Sequence, residues 1–225
     1  MSETLPKKRV AVLISGRGSN MNALLQATDF AGFPGEIVAV LSNKADAGGL
    51  RTAEARGIAT VAISHKGFGS REAHEEALIE ALDAFRPDVV CLAGYMRLLT
   101  PRFVGHYSGR MINIHPSLLP LFPGLHTHER ALEAGMRLHG CTVHFVTEDM
   151  DEGPIIAQAA IAIEPGDTPD SLSARLLAAE HRLYPHALRL VLDGQVRMEG
   201  GRAVFAHRDV ASDATPGSIL VSPFA

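Results

Sequence analysis

Two polar side chains, Asn113 and His115, stand two residues apart in the stretch Asn113-Ile-His-Pro-Ser-Leu-Leu-Pro120. Alternation along an extended chain puts both on one side, and Pro116 stops the strand directly after His115. An amide donor beside an imidazole suits negative charge developing on a carbonyl oxygen. A protonated imidazole serves this better and can also act as a general acid. Its ordinary pKa is only ~6.5, so a carboxylate is needed nearby to hold the proton. The run Glu148-Asp149-Met150-Asp151-Glu152, followed by Gly153-Pro154, can supply it. Alone, such a run is a solvated turn, and a strand-end histidine is an ordinary structural residue. Their combination points to chemistry. Ser117 lacks a Gly-x-Ser-x-Gly elbow, and Cys91 and Cys141 sit inside apolar runs, where thiols are buried and inert.

A second group is Gly16-Arg17-Gly18-Ser19-Asn20, between an apolar run and a helix beginning near Asn20. Backbone N–H groups at a helix N-terminus bind anions, phosphate above all. The group fits a dinucleotide fingerprint poorly: position 21 is Met, and the second strand ends in Ser42-Asn43-Lys44 without an acid for a ribose. A monophosphate cradle built on Gly18, Ser19 and Asn20 fits better, and a tight turn that binds nothing stays open.

The elements that must position these groups follow from periodicity. Short continuous apolar runs at 9–14, 36–41, 60–63 and 88–93 read as strands buried on both faces. Helices alternate with them: from Asn20, over 48–56 up to Gly57, and from Ser70, with Ala73, Ala77, Leu78, Ala81, Leu82 and Phe85 at helical spacing. Farther on come a strand at 111–114, a short helix at 129–135, and longer strands at 141–146 and 155–163 joined by the acidic loop. A helix at 169–192, kinked at Pro185, and a hairpin at 195–205 complete the pattern. The expected fold is α/β: an open, mostly parallel twisted sheet with helices on both faces, holding ligands beyond the C-terminal strand ends. The 225 residues are expected to form one domain, with a phosphate-binding half at about 9–110, a catalytic half at about 111–205 and a mobile tail at about 212–225.

Composition narrows the partners. Hydrophobic residues make up 46% and charged residues 20%, as in an ordinary globular protein, and the net charge of −4 gives no basic field for nucleic acid or membrane. No metal-ligating spacing is present. The apolar run behind Lys7, Lys8 and Arg9 is too short for a signal peptide or a membrane span, so a cytoplasmic address is expected.

These residues also carry a family resemblance. The 113–120 stretch with the Asp-x-Gly-Pro turn at 151–154 resembles the folate-dependent formyltransferases. Also similar are Leu13-Ile-Ser-Gly-Arg-Gly-Ser-Asn20, Ser42-Asn43-Lys44, Leu92-Ala-Gly-Tyr-Met-Arg-Leu-Leu99, Pro123-Gly-Leu-His-Thr-His128, Val143-His-Phe-Val146 and Glu180-His181, so the likeness spans residues 9–204. It implies formyl transfer from 10-formyltetrahydrofolate to glycinamide ribonucleotide in purine synthesis, without a metal. It implies Asn113, His115 and Asp151 as the catalytic set. By the same resemblance, Gly18, Ser19 and Asn20 hold the phosphate and Glu180 meets the ribonucleotide. Arg71, Met96, Arg97, Leu98, Leu99 and Asn113 would line the folate site. Met96 to Leu99 taken alone read as a core segment entering a helix. Glu152, beside Asp151, leaves open which carboxylate pairs with His115.

Within this resemblance a transferase acting on methionyl-tRNA is disfavoured by the chain's length, its charge and its Pro-Leu-Phe-Pro-Gly turn at 120–124. A formyltetrahydrofolate hydrolase is disfavoured by the eight residues before the first strand. A non-catalytic binding module would not need the 113/115/151 set. The expected assembly is a monomer or homodimer.

Overall fold

A computed structural model describes residues 6–206 and 219–222. The chain divides after Ile112 into two compact units.

The first unit alternates strand and helix. Strand β1 (Lys8–Ile14) leads into helix α1 (Ser19–Thr28), β2 (Gly35–Ser42), α2 (Gly48–Glu54), β3 (Ala59–Ala62), α3 (Arg71–Ala84), β4 (Val89–Leu92) and α4 (Pro101–His106). The strands lie in the order β4-β1-β2-β3, and all three pairings are parallel. Val10 to Ile14 are wholly buried, as a central strand covered on both faces requires. Ser70 caps α3 by accepting from Ala73 N at 3.1 Å. Helix α4 falls in 100–110, where no element was expected, although Thr100 followed by Pro101 at the first helical position is a start signal, and Thr100 does cap α4.

The second unit holds β6 (Leu138–Phe145) and β7 (Ile155–Ala162), an antiparallel pair flanking the acidic loop, with α5 (Thr127–Glu133), α6 (Pro169–Leu192) and the hairpin β8 (Val196–Glu199) and β9 (Arg202–Phe205). Strand β5 (Met111–His115) lies next to β6 in the sheet order. Helix α6 runs through Pro185 as one element and buries Leu172, Leu176, Ala179, Leu183 and Leu188 at helical spacing. Of the tail expected to be mobile, residues 212–218 and 223–225 lie outside the described residues. Within it, Ile219–Ser222 forms strand β10, antiparallel to β7, on a β-prone Ile-Leu-Val run too short to stand out from the polar residues before it. Among the described residues no helix is long and apolar enough to cross a membrane.

Candidate active site

Strand β5 delivers Asn113, half-buried, and His115, 6% exposed, to its C-terminal end. The His115 Nδ1 atom lies 3.4 Å from Asp151 Oδ2, so Asp151, and not the exposed Glu152, is the carboxylate beside the imidazole. The other ring nitrogen, Nε2, lies 3.0 Å from the Phe122 carbonyl oxygen. Both nitrogens of His115 therefore face acceptors, the pattern that an imidazolium with two N–H donors satisfies.

The acidic loop folds tightly to present Asp151. Asp151 itself lies in the left-handed region at φ 58°, tolerable for this residue type. Its Oδ2 accepts from Gly124 N at 2.8 Å. Two residues on, a Cβ at Gly153 would lie 1.7 Å from the Phe145 carbonyl oxygen. Only glycine lets the loop press this closely onto β6.

A fourth residue completes the cluster. His144, on β6, is 2% exposed. Its Nδ1 donates to the Phe145 carbonyl at 2.9 Å. Its Nε2 lies 3.2 Å from Asn113 Nδ2 and 3.8 Å from Asp151 Oδ1. Burial, outweighing the Phe145 hydrogen bond and the Asp151 charge, lowers the His144 pKa below the usual imidazole value. With its proton on Nδ1, neutral His144 offers Nε2 as an acceptor for the Asn113 amide. That amide nitrogen carries two N–H donors, so one remains for a reacting oxygen. His144 appears in the sequence reading only inside a matching stretch. Two signals could have raised it: its place at the end of a strand flanking the acidic loop, and its alternation with Thr142.

Behind this cluster, Thr142 and Gln158 secure the loop that carries Phe122. Thr142 Oγ1 donates to the Ser117 carbonyl at 2.7 Å and accepts from Leu119 N at 3.1 Å, and Gln158 Nε2 donates to the Leu119 carbonyl at 2.9 Å. Cys141 is wholly buried. Burial first, then the charge of Glu180, pushes its thiol well above the ordinary range, so it is no nucleophile. Glu180 is itself buried on α6.

In the first unit, Gly18 sits at the N-cap of α1 at φ 75°. No side chain caps this helix and no acid lies in its first turn, so the positive end of its dipole is unneutralised from within. Arg71 is exposed at the first residue of α3. Met96 and Leu98 are 64% and 58% exposed, and Leu99 is half-buried. The segment is thus not core, as its composition alone suggests. Among the described residues no group of three or more His, Cys, Asp or Glu side chains is arranged to hold a metal ion.

Residues 8–188 match the formyl transferase family, and the chain belongs to it. It is an enzyme of the transferase class with the mostly parallel α/β architecture of that family. Among its relatives, phosphoribosylglycinamide formyltransferase of Escherichia coli is 49% identical over 86% of this chain and 92% of its own. A trifunctional purine biosynthetic protein of Bos taurus is 50% identical over 91% of this chain, which spans 20% of that longer protein. The crystal structure of phosphoribosylglycinamide formyltransferase from Brucella melitensis is 62% identical, covers 83% of this chain and 96% of its own, and superposes with a TM-score of 0.81.

Proposed function

We propose that this protein transfers the formyl group of 10-formyltetrahydrofolate to the amine of glycinamide ribonucleotide, a step in purine (IMP) synthesis. We assign the chemistry to Asn113, His115 and Asp151. The observation that carries this reading is the meeting of the three at the end of β5, with His115 Nδ1 3.4 Å from Asp151 Oδ2 and Asn113 Nδ2 tied to His144.

The folate supplies the formyl group. The amine nitrogen bonds to the formyl carbon, the bond from that carbon to N10 of the folate breaks, and a proton passes from the attacking nitrogen to N10, releasing tetrahydrofolate. The chain's own residues stabilise the negative charge that develops on the formyl oxygen as the amine attacks. Asn113 donates to that oxygen with the N–H not taken by His144. His115 donates from Nε2, exchanging the Phe122 carbonyl for the reacting oxygen. Asp151 faces Nδ1 and balances the charge of the imidazolium. Electrostatic donors fixed in advance contribute on the order of 3 kcal/mol each to such a transition state. Alignment of the two substrates supplies the rest.

Binding divides among the remaining residues. Gly18, Ser19 and Asn20, at the uncapped N-terminus of α1, would hold the phosphate. Glu180 would meet the ribonucleotide. Arg71, Met96, Arg97, Leu98, Leu99 and Asn113 would hold the folate, and the exposed apolar surface of Met96 and Leu98 suits a flat aromatic ring. The enzyme works in the cytoplasm as a monomer or homodimer, with small molecules as its substrates and without nucleic acid or membrane partners.

The test is to mix purified protein with 10-formyltetrahydrofolate and follow tetrahydrofolate release with and without glycinamide ribonucleotide. Release that depends on the ribonucleotide is expected. Equal release without it would mean hydrolysis, and no release would contradict the proposal.

A further inference from the structure

Glu75 is 3% exposed on the inner face of α3, yet it is acidic. Both its oxygens accept from Thr100 N at 3.1 Å, and Oε2 also accepts from Thr100 Oγ1. Among the described residues, Thr100 supplies the hydrogen bonds to the Glu75 carboxylate. Burying a carboxylate is costly, and for stability alone an apolar side chain of similar volume would serve as well or better. The bonds fix one position instead. Thr100 is both the N-cap of α4 and the end of the segment 94–100. The other end is fixed from β1: Ser15 N donates to the Gly94 carbonyl at 3.1 Å, and Ser15 Oγ accepts from Met96 N at 2.8 Å while donating to Asn43 Oδ1 at 2.6 Å. Between these two anchors Met96 and Leu98 stand out into solvent, while Tyr95 is buried.

We infer that Glu75 is a positioning residue for the folate donor, holding segment 94–100 through Thr100 so that Met96 and Leu98 keep a fixed arrangement. The inference rests on the assignment of Met96 to Leu99 to the folate site. Glu75→Gln is the informative change. It keeps shape and volume but sets an amide N–H₂ where Thr100 already presents donors, so one end of the segment is released.

The experiment measures kcat, both KM values and the thermal midpoint for Glu75→Gln, Glu75→Asp and Met96→Ala. For Glu75→Gln the expected result is a roughly tenfold rise in KM for 10-formyltetrahydrofolate, with kcat and the ribonucleotide KM within about twofold of the parent. Glu75→Asp, which keeps a carboxylate, recovers part of the loss. Met96→Ala raises the same KM. If Met96→Ala raises it and Glu75→Gln does not, or if Glu75→Gln shifts kcat and both KM values together with the midpoint, the positioning role is overturned and the folate assignment stands. If neither change moves the folate KM, the folate assignment falls and the inference with it. If Glu75→Gln does not fold, Thr100→Val, which removes the hydroxyl that donates to Glu75 and with it the cap that accepts from Phe103 N, is measured in its place against the same outcomes, beside the capping control Thr100→Ser, which keeps both bonds and is expected to match the parent.

Discussion

The Asn113 amide nitrogen stands 3.2 Å from His144 Nε2, and His144 Nδ1 already donates to the Phe145 carbonyl at 2.9 Å. The second contact fixes the tautomer, and the tautomer fixes the amide: a bare Nε2 accepts from Nδ2, so Asn113 shows an N–H and not a carbonyl to the reacting oxygen. His144→Leu removes that acceptor at similar volume. The expected outcome is a kcat lower by roughly 10–100-fold with KM values little changed, because the donor is present but no longer aimed. Steady-state kinetics checks it, and an unchanged kcat would refute the role of His144.

Asp151→Asn replaces the carboxylate beside His115 Nδ1 with an amide that can still accept from Gly124 N through its oxygen. The loop is retained and the charge is lost. We expect kcat to fall roughly 10²–10³-fold, in the range of single electrostatic or acid–base contributions. The thermal midpoint should move by only a few degrees. Glu152→Gln, on the exposed neighbour, should change neither.

Gly153→Ala tests the close approach of the loop to β6. With a Cβ 1.7 Å from the Phe145 carbonyl oxygen, backbone must move. The expected destabilisation is about 1–3 kcal/mol or more, read by denaturant unfolding. Activity should drop with it, since the same shift displaces Asp151. A variant of parent stability would mean the loop is not held as described.

A pair of histidines sets an acid limit on stability. His128 Nδ1 and His139 Nε2 are 3.0 Å apart, and His139 is 2% exposed. Burial lowers both pKa values, the charge of His128 and then of His115 lowers His139 further, the charge of His115 lowers His128 further, and His139 falls to about 4. The Glu129 charge acts the other way on His128, and a hydrogen bond to the Pro116 backbone acts the other way on His139. Because the folded values lie below the unfolded value near ~6.5, folding favours the neutral rings. Their contribution is complete above about pH 6.5 and is lost as pH falls toward 4, by on the order of 3 kcal/mol for His139. A thermal midpoint that falls over this window, and falls less in His139→Gln, is the expected result. A midpoint flat between pH 7 and 4 would contradict it.

Much of this was legible in the residues. The buried strands of the first unit show as continuous Val, Ile and Leu runs because both faces are covered, and the turn at 16–20 shows because Gly18 takes a left-handed backbone that favours glycine. Asn113 and His115 could be paired from a two-residue spacing before a proline. What stayed hidden depends on contacts distant in sequence. His144 looks like any strand residue until β5 lies beside β6, and Glu75 looks like any helix-surface acid until Thr100 is brought to it. The resemblance names Asp151, but that it and not Glu152 stands beside His115 shows only in the folded loop.

The central claim is that Asn113 and His115 stabilise charge on the formyl oxygen. The most direct measurement is single-turnover formyl transfer at saturating 10-formyltetrahydrofolate and glycinamide ribonucleotide in Asn113→Ala and His115→Ala. Each variant is expected to lose roughly 10²–10³-fold in rate while both substrates still bind and the fold is intact. Near-parental rates in both variants would contradict it and place the chemistry elsewhere on the chain.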